Sequence, residues 1–330
     1  MPHLLASGPC TPVTLDELKF IASGLVRPEC VLATRSGDLF TADWRGGVAH
    51  QRRDGGVELI RGALADGRPL LPNGIALRRD GSFLIAHLGD SDGGVFILER
   101  NGQTRPFLQT VDGIELPPSN FVHEDTVGRV WITVSTRRHP RLQASRPDVA
   151  DGFIVLVDAL GARVVADGLG YTNEALVSPD GAWLYLNETF ARRLTRFRIG
   201  ADGSLSGRET VTTFGAGTYA DGLTFDADDG VWITSIVSNR VIRVARDGST
   251  QLILEDCDAA HLAACEVAFQ TTGLTRALID QPTGRRLKNI SSLAFVGADL
   301  RTAVLGCLLG DSLATFRTSV VGHPPVHWTY

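Results

Sequence analysis

The sequence predicts an all-β protein, a six-bladed β-propeller with a short helical insertion before the last blade. One hairpin pattern recurs six times along the chain, its turns fall about 50 residues apart, and each interval has room for four short strands. The clearest copies are PNGIALRRDGSFLIAHL from Pro72, SNFVHEDTVGRVWITVS from Ser119, TNEALVSPDGAWLYLNE from Thr172 and ADGLTFDADDGVWITSI from Ala220. Each has a polar residue, a short alternating run, an Asp/Gly turn and a second alternating run, which reads as a β-hairpin. Weaker copies begin at Pro28 and Ile290, with turns at Gly37 and near Asp299.

Two further strand-like runs follow each hairpin, such as GGVFILER from Gly93 and RPFLQTV from Arg105. After Arg317 the last unit offers no fourth run, whereas LKFIASGL, Leu18 to Leu25, precedes the first hairpin. Segment 18–25 is therefore expected to supply the missing strand and close the ring, making residues 1–330 a single domain. Two stretches exceed the repeat. Residues 136–152 form a loop rich in Arg, Pro and Asp, and residues 258–280 carry apolar side chains at helical spacing. Because alternating strands bring both insertions out on the side where inner strands begin, both are expected to cover one mouth.

With 330 residues, 43% of them hydrophobic, the chain can bury a substantial core. A formal charge of −5, with acidic residues spread throughout, gives no electrostatic footprint for nucleic acid or an anionic membrane. No apolar run approaches the roughly 18 residues of a membrane span, and the first residues lack the pattern of a signal peptide. Five cysteines, odd in number and without a CxxC pair, argue against a disulfide framework or a cysteine zinc site. A cytoplasmic protein acting on a small molecule is expected. GDSDG from Gly89 matches GxSxG only as a string between two strand-like runs and not as a strand-to-helix elbow, and HExxH and phosphate-loop motifs are missing, which leaves serine hydrolase, zincin and nucleotide enzyme without support.

Counting back eight residues from the turns reaches Glu29, Asn73, Asn120, Asn173 and Ser291, and Asp221 stands eight before Asp229 in a longer turn. Equivalent positions on the inner strands of a radial repeat share one height, so these side chains are expected to converge on the axis. Two carboxylates and three amide oxygens suit a hard divalent cation such as calcium, magnesium or manganese; zinc normally prefers imidazole or thiolate. Paired buried carboxylates are costly without such a counter-charge. His123 and Glu124, just below Asn120, read as structural.

The segments PNGIAL, SNFVHED, YTNEALVSPDGAWLYLNETFARRLTRFRI and YADGLTFDADDGVWIT, with PEC near the start, resemble the SMP-30/gluconolactonase/luciferin-regenerating-enzyme-like family from about Leu18 to Arg317. The resemblance implies one divalent metal ion, calcium first and magnesium, manganese or zinc otherwise, held by Glu29, Asn173 and Asp221. It implies hydrolysis of a lactone by metal-activated water, with Asp221 as ligand and base and Asn120 beside metal and substrate. Pro118 stands where sugar lactonases of the family carry an arginine, and Asn173-Glu174 and Asn120-Phe121 replace the usual Asn-Gly or Asn-Asp. Residues two before the ring positions, among them Arg27, Leu71, Pro118, Tyr171 and Tyr219, are expected to face the mouth. That set is less polar than a polyhydroxylated ring requires, so a less hydroxylated lactone or ester is expected. Substrate contacts are expected from Asn120, Asn73, Tyr171, Tyr219, His87 and Arg27, with His139 a further candidate. Arg137, Arg138, Arg141 and Arg146 could meet an anionic substrate, although solvated loop arginines are commoner. The alternatives are the same metal turned to hydration, elimination or isomerisation of a carbonyl compound, or a non-catalytic ligand-binding propeller.

Overall fold

In the computed structural model, which describes residues 10–330, six four-stranded antiparallel sheets form the blades of a propeller. In blades 1 to 5 the strands follow in chain order, starting from inner strands Val31–Ala33, Pro72–Leu77, Phe121–Glu124, Thr172–Val177 and Tyr219–Phe225. Blade 6 takes Ile290–Val296, Thr302–Cys307 and Leu313–Arg317 from the end of the chain and Lys19–Ile21 from its start. Lys19 pairs with Thr315 and Ile21 with Leu313, so the N-terminal strand covers the last blade's open edge. The strand is shorter than 18–25 because Ala22 and Gly24 adopt φ of 51° and 73°, which turns the chain out of the sheet.

Second strands such as Phe83–His87, Val130–Val134 and Val231–Ile236 are buried along their whole length. Sheets stacked on both faces impose this, and it explains the near-continuous apolar runs in the sequence. The hairpin turns depend on a left-handed residue: Gly81, Gly128 and Gly181 at φ of 88°, 83° and 73°, and in the longer blade 5 turn Asp229 at 61°. In blades 3 and 5 an aspartate at the turn also anchors the tryptophan six residues later. Trp131 Nε1 donates to Asp125 Oδ2 at 3.0 Å and Trp232 Nε1 to Asp226 Oδ2 at 2.8 Å.

The helical insertion consists of α1 (Ala259–Thr271), capped by Asp258, and α2 (Arg276–Ile279), capped by Thr275. It meets the blade 3 insertion, where Ser145 Oγ donates to the Leu274 carbonyl at 2.8 Å. Phe190, Tyr219, Cys265 and Phe269 pack beneath both. A small extra hairpin, Thr110–Val111 with Ile114–Glu115, lies outside the blades and had no signal in the repeat.

Residues 318–330, for which the repeat gave no role, run across the opposite mouth. The Ala227 amide donates to the Val321 carbonyl at 2.8 Å, His323 to Phe225 at 2.9 Å and Arg35 to Trp328 at 2.8 Å. Beneath this strap the channel widens into a cavity of about 310 Å³ that His123 and His327 both line. Burial pushes each imidazole down to about 4, and neither Nε2 has a partner.

Because both histidines are held below their unfolded value of about 6.5, the stability they allow is present above that pH and is lost as pH falls toward 4. Each contributes a slope of up to about 1.4 kcal/mol per pH unit in that window. Urea unfolding from pH 7 to 4.5 should therefore give a shallower acid decline for His327→Leu than for the parent protein; parallel declines would contradict this placement of the tail.

Candidate active site on the propeller axis

The six ring positions occupy the starting ends of the inner strands, and all six residues are buried. Strand pairing slips at this level in four blades: between Pro72 and Ile75, Thr172 and Ala175, Ala220 and Leu223, and Ile290 and Ser292. The extra residues of a β-bulge break strand alternation and re-aim a side chain. Each slip brackets a ring residue: Asn73, Asn173, Asp221 or Ser291. Two ring carboxylates and Glu174 are close enough to feel one another's charge. Asp221 of blade 5 feels Glu29 of blade 1, with blade 6 between them, and Glu174 of blade 4 feels both.

Neighbouring blades hold the ring together. Asn73 Nδ2 donates to the Asn120 carbonyl at 2.9 Å, Ser291 Oγ to the Glu29 carbonyl at 2.8 Å and Asn187 Nδ2 to the Asp221 carbonyl at 3.0 Å. Asn173 Nδ2 donates to Thr189 Oγ1 at 3.1 Å, whose hydroxyl bonds the Ala220 carbonyl at 2.7 Å. Inner strands approach so closely that a Cβ at Gly74 would lie 2.7 Å from Phe121 Cα, and one at Gly222 would lie 2.6 Å from Ser292 Cα. Blade 4 has Glu174 at the equivalent place. Its carboxylate accepts from the Leu223 amide at 2.9 Å and lines the cavity below the ring.

Burial, and then the charge of Glu29, push the Asp221 carboxyl well above the usual range, while Arg27, Arg141 and the Asn173 amide oppose the shift. Glu174 is raised by burial and by Asp221 and Glu29, and the Cys30 thiol by burial and Glu174. The Oδ1 atoms of Asn73 and Asn120 are buried without a partner. Crowded carboxylates beside unpartnered amide oxygens are what a hard cation would relieve, so the residues present fit such an ion. Among the described residues no three His, Cys, Asp or Glu side chains form a ligand cluster, so any cation here depends on the amides as well as on Glu29 and Asp221.

The expected substrate contacts divide. Arg27 lies at the ring, with Nε and Nη2 each 3.0 Å from Glu29 Oε2 and the guanidinium 4.3 Å from the Trp44 ring centre. Tyr171 turns its hydroxyl to the mouth loop, where it accepts from Arg141 Nε at 2.8 Å. Tyr219 does not face the mouth: it is fully buried under α1 and donates to Glu266 Oε1 at 2.6 Å. The bulge after Ala220 is the reason, since residues two apart no longer share a face across it. His87 is buried as well, with Nδ1 accepting from the Leu71 amide at 3.0 Å, so it shapes the loop leading to Asn73. His139 is exposed. Of the loop arginines, Arg137 pairs with Asp167, Arg146 with Asp148 and Arg138 with Asp151, and Arg141 alone among the four turns toward the axis. Two residues here escaped sequence reasoning. Glu174 was visible only as a departure from Asn-Gly, and Arg276 carried no signal because the packing of α2 alone places it.

A family model of the SMP-30/Gluconolactonase/LRE-like region matches residues 28–279. The chain belongs to this family. Solved structures similar to it include a luciferin-regenerating enzyme, at 15% identity and TM-score 0.67 over 98% of this chain and 99% of that one. A gluconolactonase from Xanthomonas campestris matches at 19% identity and TM-score 0.65, over 96% and 99% of the two chains. A calcium-binding protein, regucalcin, from Agrobacterium tumefaciens matches at 18% and 0.65, over 95% and 97%. At these identities the likeness is one of fold. No curated protein matches the chain, and among the described residues no helix is long and apolar enough to cross a membrane.

The ring's tightness gives a direct test within the family fold. Gly222→Ala places a Cβ 2.4 Å from the Ser291 carbonyl oxygen and should cost about 1–3 kcal/mol in thermal unfolding, whereas Gly215→Ala meets nothing within 4 Å and should stay within about 0.5 kcal/mol. Equal losses at the two positions would contradict the close approach of blades 5 and 6.

Proposed function

We propose that the protein is a metal-dependent hydrolase that opens a lactone at the axial ring. The observation that carries this reading is the buried pair Glu29 and Asp221, the charge of Glu29 raising the proton affinity of Asp221, beside unpartnered amide oxygens. Family membership, the gluconolactonase similar in fold and the calcium-binding name of another such structure support it. Glu29, Asn173 and Asp221 would hold the ion, with calcium the first choice on donor chemistry and magnesium, manganese or zinc the alternatives. A divalent cation so held polarises a carbonyl oxygen and lowers the pKa of water, each worth several kcal/mol of barrier.

The chain's own residues supply the rest. One Asp221 carboxylate oxygen accepts the proton of the water that attacks the carbonyl carbon and returns it to the alkoxide released as the ring C–O bond breaks, while Glu29 and Asn173 stay fixed by their ring contacts. Asn120, whose Oδ1 is buried without a partner, orients the lactone, and Asn73 braces it through the Asn120 carbonyl. The substrate is less hydroxylated than gluconolactone, because Pro118 has no hydrogen-bonding side chain and Tyr171 is an aromatic residue with its hydroxyl already engaged.

A screen of sugar, aliphatic and aromatic lactones, read by acid release with and without a chelator, tests the proposal. At least one lactone should be hydrolysed, with activity lost on chelation and restored by a divalent cation. Asp221→Ala and Glu29→Gln should each lower kcat/KM by about 100-fold or more. Hydrolysis that survives chelation and both substitutions, or no hydrolysis of any lactone, would overturn the reading.

A further inference from the structure

Positive charge gathers above the ring from three separate segments. Arg27, just before blade 1, is held in the left-handed region at φ 52° and folded back on Glu29. Arg141 enters from the blade 3 insertion with Nε committed to Tyr171, and its buried Nη1 has no partner. Arg276 opens α2 with Nε 3.2 Å from Asp280 Oδ2. The segments that carry them pack into one apolar cluster: Leu142 and Ala144 beside Arg141, Leu278 and Ile279 of α2, and Leu308 and Leu309 next to the Arg27 loop. In keeping with this, partial burial and then the charges of Arg27 and Arg141 lower the pKa of Arg276. Arg137 is matched by Asp167 and Arg192 by Glu266, as Arg27 is by Glu29 and Arg276 by Asp280, whereas Arg141 forms no ion pair among the described residues. Once a cation neutralises Glu29 and Asp221, Arg27 and Arg141 have no counter-charge left in the ring.

A groove of about 480 Å³ on the same face runs up to Arg27. Leu25, Trp44, Leu308 and Leu309 give it apolar walls, and Lys288, one of only two lysines in the chain, and Asp311 also line it, so that the two basic groups, Arg27 and Lys288, outnumber the one acid. Apolar walls leading to clustered guanidiniums match a molecule with an apolar body and an anionic end. A planar carboxylate suits them best, because the guanidinium fork binds it through two parallel hydrogen bonds.

We propose that Arg141, Arg276 and Arg27 form a carboxylate-recognition site beside the ring, so that the substrate is a lactone carrying a carboxylate on an otherwise weakly polar frame. This rests on the lactone-hydrolase reading for the reaction but not for the anion site. Arg141 and Arg276 act on specificity: they hold the anionic end while the lactone carbonyl lies over the ring.

Two matched probe pairs test it. Cyclopentanecarboxylate and cyclopentanecarboxamide carry no lactone and report anion recognition by calorimetry on the metal-loaded protein. 5-Oxotetrahydrofuran-2-carboxylate and its carboxamide report the effect on hydrolysis. The carboxylate of each pair should be favoured by about tenfold or more, in Kd and in kcat/KM respectively. Arg141→Gln and, independently, Arg276→Gln on its half-exposed helix should bring both preferences close to one with unchanged melting temperature. Selective binding of cyclopentanecarboxylate with no hydrolysis of either lactone would support the anion site and overturn the hydrolase reading. Equal affinity for the two cyclopentane probes, or a preference that survives both substitutions, would overturn the carboxylate site and leave the hydrolase reading intact.

Discussion

Repulsion between two buried carboxylates, Glu29 and Asp221, is the constraint around which the axis of this propeller is organised. Removing a carboxylate from water costs several kcal/mol, and placing a second beside it adds to that cost unless a cation intervenes. The fold nevertheless holds them together. Blade 6 stands between their blades, and its width fixes the separation: Ser291 bonds the backbone of Glu29 on one side, and Gly222 lies against Ser292 on the other. Blade 6 in turn is completed by Lys19–Ile21, so the three-residue strand near the start of the chain helps set the electrostatics of a site far from it in sequence.

The two ends of the channel are finished by different chemistry. At the ring end, insertions from blade 3 and from between blades 5 and 6 bring Arg141 and Arg276 to the mouth, where Arg141 bonds Tyr171 at the start of blade 4, supported by the apolar packing of Phe190, Tyr219 and Phe269. At the other end the tail lays backbone hydrogen bonds on blades 1 and 5 and brings His327 to the side of His123. Glu174 links the two regions. It couples to Asp221 and Glu29 above, and it lines the cavity under the tail. The ring is thus covered by the insertions on one side and backed on the other by a chamber that Glu174, His123 and His327 line.

Much of this arrangement was legible because local chemistry and global position coincide in a repeat. Alternation and Asp/Gly turns specify each hairpin, and a fixed count from turn to ring residue survives from blade to blade because the hairpins have nearly the same length. Blade 5 shows the rule's basis, since counting from Asp229, the residue that takes φ of 61°, recovers Asp221. What was not legible depended on broken alternation or on packing. Tyr219 was expected on the mouth side of Asp221, but a bulge separates them and the ring lies under α1. His87 has the composition of a pocket histidine, yet its Nδ1 is taken by backbone. The crossing of the tail over the far mouth follows no strand pattern at all, and the turn of Arg276 toward the axis is decided by how a four-residue helix docks.

Anomalous diffraction from crystals grown with manganese measures the central claim most directly, because it locates a cation without reference to activity. The account predicts one peak on the propeller axis, about 2.1–2.6 Å from carboxylate oxygens of Glu29 and Asp221 and the side-chain oxygen of Asn173. A well-diffracting crystal with no axial peak, or with its peak elsewhere on the molecule, would contradict it.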